Sequence, residues 1–183
     1  MTPITKHAPP ERASWDELHY QLTTVNANTA LQGTIDKATE SILLLNRHRQ
    51  IVYANAASRT LLCKNDDPAK LYGCRPGEAL CCVHAHTGVG GCGTSQACRV
   101  CGAVNAVLKS LSGTFDVQRC SIQSENRDAP FKCIIFAMPV QLDGESYSLV
   151  ALKDASEASG TNALAKHAFA MRGLASLVEQ SGA

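Results

Sequence analysis

Three thiols fall within ten residues in Cys92-Gly-Thr-Ser-Gln-Ala-Cys98-Arg-Val-Cys101, a C-x5-C-x2-C spacing. Cys74, Cys81, Cys82, His84 and His86 stand just upstream, so six of the nine cysteines lie between 74 and 101. Gly90, Gly91 and Gly93 loosen the backbone around the first thiol of the run. Thiolates this close together on pliable backbone can turn inward on one soft centre, which is the chemistry of structural zinc or of an iron–sulfur cluster. Burial as small hydrophobes accounts for Cys63, Cys120 and Cys133, which lie in apolar helix or strand contexts. It does not account for Cys92, Cys98 and Cys101.

Three uses of the cluster compete. An iron–sulfur cluster, [2Fe–2S] or [4Fe–4S], needs four thiolates, and small residues such as Gly93 and Ala97 let backbone N–H groups face the sulfur. Cys82 is the leading fourth ligand, with Cys81, Cys120 and Cys133 as rivals. Zinc is the alternative: it takes four thiolates, or three with His84 or His86, and Cys98-Arg-Val-Cys101 is a zinc-type pair. A metal-free thiol switch is the third use. Spacing does not separate zinc from iron–sulfur, and Cys74, Cys81, His84 and His86 stand as alternate ligands.

Two other motifs carry less. Gly88–Ser95 mimics a phosphate-binding loop, but Thr94 occupies the lysine position and no strand leads into it. Cys82 with His84 or His86 pairs a thiol with a base in sequence only, which is not catalytic geometry. The chain is expected not to be an enzyme.

The elements that must position these residues follow from periodicity. Residues 1–10 read as a flexible tail and 11–40 as a helical cap, with Trp15, Leu18, Leu22 and Val25 on one stripe, Ser14 as N-cap and a break at Gly33. That stripe serves either as a cap on the chain's own core or as a dimer seam. Two strands, 41–46 and 51–54, flank a polar turn, and Asn55 caps a short helix to Leu62. Residues 64–101 are irregular, and such a long segment in a compact domain is usually functional. A helix over 102–111 ends at Gly113, three strands follow over 114–122, 131–141 and 146–153, and Asp143-Gly144 marks a tight hairpin. A last helix runs from about 162 to 180. This order predicts an α+β fold, a five-stranded antiparallel sheet with helices on one face and further helices at both ends.

The 183 residues, 45% apolar, suffice for one well-buried domain with extra helix. A net charge of +1 without a basic cluster argues against a nucleic-acid or anionic-membrane partner. The first ten residues contain no apolar signal core, and the longest apolar stretch, 134–140, is too short to span a bilayer. A cytoplasmic protein with reduced thiols is the expectation, and the odd cysteine count argues against a full disulfide framework.

Over about 41–157 the chain resembles the PAS fold. Ser41-Ile-Leu-Leu-Leu-Asn-Arg-His-Arg-Gln-Ile-Val-Tyr-Ala-Asn55 is similar to the PAS opening hairpin, and Leu149-Val-Ala-Leu-Lys-Asp-Ala-Ser-Glu157 to its exit, with Ala155 and Ser156 in place of an Ile-Thr pair. Gly73-Cys-Arg-Pro-Gly-Glu-Ala-Leu-Cys-Cys-Val-His-Ala85 with Gly90-Gly-Cys-Gly-Thr-Ser-Gln-Ala-Cys-Arg-Val-Cys-Gly102 resembles a cysteine-rich subgroup of bacterial PAS sensors. That resemblance implies a PAS-like domain over 41–157 with a cysteine-rich insertion at 74–101, and a ligand set of Cys82, Cys92, Cys98 and Cys101. The C-x5-C-x2-C loop alone is also similar to adrenodoxin-type ferredoxins. Ala168–Leu177, within the C-terminal helix over 158–183, resembles the dimerisation helix of histidine kinases, with Phe169 where the phospho-accepting histidine would stand. The implied role is a redox or oxygen sensor, a homodimer through its flanking helices, signalling to a histidine kinase or response regulator.

Overall fold

The structure, a computed structural model, describes residues 5–62, 67–155 and 161–181. Cys63, the Ser156-Glu157 end of the exit motif and the boundary at 157/158 lie outside the described residues. Five strands, β1 (Ser41–Leu45), β2 (Ile51–Ala54), β3 (Asp116–Ile122), β4 (Phe131–Leu142) and β5 (Glu145–Asp154), form one antiparallel sheet in the order β2-β1-β5-β4-β3. The expected α+β class and sheet are present. Asp143 and Gly144 both have positive φ, 49° and 78°, as a tight two-residue hairpin turn requires. Pro139 is tolerated in β4 because β3 pairs only as far as Ala137, so no partner on that side needs its missing N–H.

The sheet is covered on both faces, which is why β1 reads as an unbroken apolar run instead of alternating. Ile42, Leu44, Phe136 and Leu149 point to one side, under α1 (Trp15–Ala27), α2 (Thr29–Ile35) and α6 (Thr161–Ser181). Leu43, Leu45, Ile135 and Val150 point to the other, under α3 (Ala56–Leu62), the one-turn α4 (Pro76–Ala79), α5 (Gly102–Leu111) and the cysteine loop. The flanking helices thus cap their own core, burying Val25, Leu31, Ile35, Met171 and Val178.

Two boundaries differ from expectation. The break between α1 and α2 falls at Asn28, whose Oδ1 accepts the N–H of Leu31 at 2.9 Å, while Gly33 stays helical inside α2. A side-chain cap ends and restarts the helix where a lone glycine does not. The tail is also packed: the N–H groups of Lys6 and Ala8 donate to the carbonyls of Thr94 and Gly93, at 2.9 and 3.0 Å. Asn55 does cap α3, its Oδ1 accepting from Ser58 and from Ile42 across the sheet, both at 3.0 Å.

Candidate functional site

Between the sheet face of Leu43, Ile135 and Leu152 and the N-terminus of α5 lies a cavity of about 250 Å3. Cys82, Cys92, Cys98 and Cys101 all line it. Each is held differently. Cys82 follows α4, its N–H bonded to the Gly77 carbonyl at 2.8 Å, and it bridges to Ser124 beyond β3. Cys92 packs on Gly77, where a Cβ would come 2.5 Å from its Sγ. Buried Cys98 sits in a 3₁₀ turn (Gln96–Val100), with its Sγ 3.2 Å from the Ser95 hydroxyl. Cys101 is the N-cap of α5.

Backbone groups act against the rise in the pKa of three of these thiols: His84 and Ala85 at Cys82, Gly77 at Cys92, and Ala103 and Val104 at Cys101. Such groups stabilise sulfur-bound negative charge. Burial pushes Cys92 up to about 12, with neighbouring Cys98, Cys101 and Glu78 adding to the rise. Burial likewise raises Cys82. Contact with Cys120, 3.8 Å from sulfur to sulfur, and then burial raise Cys101. A metal binding here must therefore displace protons. The donor set is soft, and it lines the cavity. Among the described residues, no three His, Cys, Asp or Glu side chains converge tightly enough to hold a single ion.

The alternates separate by place. His84 lines the same cavity, whereas Cys74 and His86 line a second, shallower hollow with Glu78 and Gly90. Cys81 lines neither; it turns the chain with a φ of 51°. Cys120 and Cys133 face each other across β3 and β4, both buried, so Cys120 backs onto Cys101 from behind the cavity wall.

No family model matches the chain, and no curated protein matches it in sequence. Among solved structures, a LOV protein from Rhodobacter sphaeroides superposes with a TM-score of 0.55 at 17% identity, covering 87% of this chain and 82% of that one. The chain has a PAS-like fold. Two weaker likenesses, both with a TM-score of 0.46, are a PAS domain from Desulfitobacterium hafniense and that of nitrogen regulation protein NR(II) from Vibrio parahaemolyticus. They are 12% and 15% identical, cover 66% and 67% of this chain, and are themselves covered to 96% and 95%.

In this PAS-like domain the cavity wall includes two residues that sequence reasoning passed over. Arg75 is fully buried. Its Nε donates to His48 O at 3.1 Å, Nη1 to Gly90 O and Cys92 O at 2.8 and 3.1 Å, and Nη2 to Pro10 O and Glu11 O at 3.2 and 2.7 Å. Burial, then the charges of Arg49 and Arg12, lower its pKa to about 10. Arg49, 5% exposed, donates Nη2 to Pro9 O at 2.6 Å. The nearby carboxylate of Glu78 is already engaged, with Arg12 and with the N–H groups of Arg75 and Cys92 at 2.9 and 3.1 Å. The readable signal was Arg75-Pro76-Gly77-Glu78, a proline start with an acid at the third helical position. Nothing comparable marks Arg49, which sits in an ordinary polar turn.

Proposed function

We propose that this protein is a non-catalytic PAS-type sensor that holds an iron–sulfur cluster through Cys82, Cys92, Cys98 and Cys101. The observation that carries the reading is that these four thiols line one cavity. Zinc draws its four ligands to about 2.3 Å from one point. Thiols that line a cavity of about 250 Å3 without converging on one point suit a centre of several metal atoms better. That volume also falls below the roughly 300–1,000 Å3 of organic-ligand pockets.

When bound, such a cluster would supply a one-electron redox change or an oxygen-sensitive bond set. The chain's own residues relay the result. Cys101 begins α5, and Gly102 lies so close to β3 that a Cβ there would overlap the Arg119 carbonyl oxygen. Any shift at Cys101 therefore presses on β3 and, through the sheet, on α6, which packs on β4 from the opposite face. The flanking helices keep Trp15 and Phe169 74% and 81% exposed, apolar surface for a second copy and for a kinase or response-regulator partner. Among the described residues no helix is long and apolar enough to cross a membrane.

Purification under anaerobic conditions tests the reading. Brown protein with iron and acid-labile sulfide, bleached by air or dithionite and lost in Cys98→Ser, is the expected result. Colourless protein with about one zinc per chain would replace iron–sulfur by a structural zinc site. Unchanged metal content in Cys98→Ser would overturn the ligand assignment.

A further inference from the structure

Three observations converge on Arg49. Its backbone has a φ of 66°, the left-handed region that a residue with a Cβ avoids. Glycine or asparagine would sit there more easily, and a loop arginine would ordinarily reach for water. Here the strained turn sends the side chain inward, to line the same cavity as the four thiols. Its Nε, fully buried, has no hydrogen-bond partner. Fully buried Arg75 stands beside it with only carbonyl oxygens as direct partners, so two guanidinium charges face this cavity. Of the two carboxylates whose charges reach Arg49, Glu78 is committed to Arg12 and Glu11 belongs to an exposed residue. A buried cation with a free donor is costly unless an anion meets it.

We infer that Arg49 is a positioning residue for the bound centre: its guanidinium supplies positive charge, and its Nε a hydrogen bond, to the anionic assembly of four thiolates and metal. This rests on the iron–sulfur reading above. Four thiolates around a [2Fe–2S] or [4Fe–4S] core carry net negative charge, which grows by one on reduction. A fixed cation nearby stabilises the reduced form more than the oxidised one and raises the potential. The unpartnered Nε then has an explanation.

The test uses the full-length chain, purified with its cluster, in four forms: wild type, Arg49→Met, Arg49→Gln and Arg47→Met. Arg47 lies in the same turn, with its side chain 60% exposed and paired to Glu17, so Arg47→Met makes the same change in net charge outside the cavity. Iron and sulfide per chain are measured first, then the midpoint by anaerobic titration with dithionite and redox dyes. In Arg49→Met the cluster stays and the reduced-to-oxidised ratio at the wild-type midpoint falls about tenfold, equivalent to 59 mV for one electron. Arg49→Gln, which keeps an N–H donor without the charge, falls too, but by less; it also carries the test should the methionine variant not fold. Arg47→Met titrates like wild type. Equal midpoints in all four forms would overturn the role of Arg49 and leave the cluster intact. A wild type holding zinc or no metal would overturn the iron–sulfur reading and this inference with it.

Discussion

The two faces of the sheet are built to opposite standards. Beneath α1, α2 and α6, Ile42, Leu44, Phe136, Val140 and Leu149 are wholly buried in one continuous apolar core. Beneath α3–α5 the sheet gives equally apolar residues, Leu43, Leu45, Ile135 and Leu152, yet the space above them is left as a cavity edged by thiols and two arginines. Interiors are normally close-packed, so a face that keeps a cavity contributes less packing to the fold than one that is filled. The packed face therefore carries more of the fold's packing than the face that holds the cavity.

Substitutions sharpen that contrast. Phe136→Ala on the packed face removes a ring that abuts His167 at 4.5 Å between centroids, and is expected to lose about 3–5 kcal/mol in urea unfolding while leaving the cysteines in place. Gly102→Ala on the open face is expected to lose about 2–3 kcal/mol, because the new methyl must push α5 off β3. On the proposed cluster reading its distinguishing readout is metal content, expected to drop because Cys101 moves with the helix. If Gly102→Ala keeps full metal while Phe136→Ala loses it, the division between the faces is wrong.

The next effect is pH-dependent. Burial pushes the Glu78 carboxyl up, but hydrogen bonds from Arg12 and from the N–H groups of Arg75 and Cys92 outweigh it, so its folded pKa lies below the usual 4.5. Its contribution is therefore complete above about pH 4.5 and is lost as pH falls through the lowered folded value. Glu78→Gln is expected to cost about 1 kcal/mol at pH 7 and to flatten the acid limb of stability against pH. An unchanged acid limb would show that Glu78 does not anchor the cysteine loop. Smallest is Trp15→Ser, expected to change monomer stability by less than about 0.5 kcal/mol because the ring is exposed. Sedimentation of that variant reads the proposed dimer directly: a dimeric wild type turned monomeric supports the helix seam, and a monomeric wild type removes it.

The strands, the turns and the cap of α3 were the more legible in sequence. Asn55 as a cap and Asp143-Gly144 as a turn are local signals, and β1 and β2 declare themselves by apolar runs. The break at Asn28 was misplaced to Gly33 because a glycine is visible as a breaker, whereas an asparagine caps only if its side chain turns back on the next helix. On the open face, residue type alone picked out the thiols. Arg75 and Arg49 were not legible: a buried arginine looks like a surface one until the carbonyls around it are known. Residues 6–8 read as a tail for the same reason, since their partners, Gly93 and Thr94, are distant in sequence.

Arg75 carries one more consequence. Its five carbonyl partners come from three stretches far apart in the chain, at 10–11, 48 and 90–92. None can leave without stranding a buried guanidinium, so the segments are fastened or released together. The cysteine loop should accordingly behave as one cooperative opening unit in hydrogen exchange, its amides gaining or losing protection in concert with those of the N-terminal segment. The thiols would then meet solvent all at once, in a single event that anything strengthening the grip of Arg75 makes rarer.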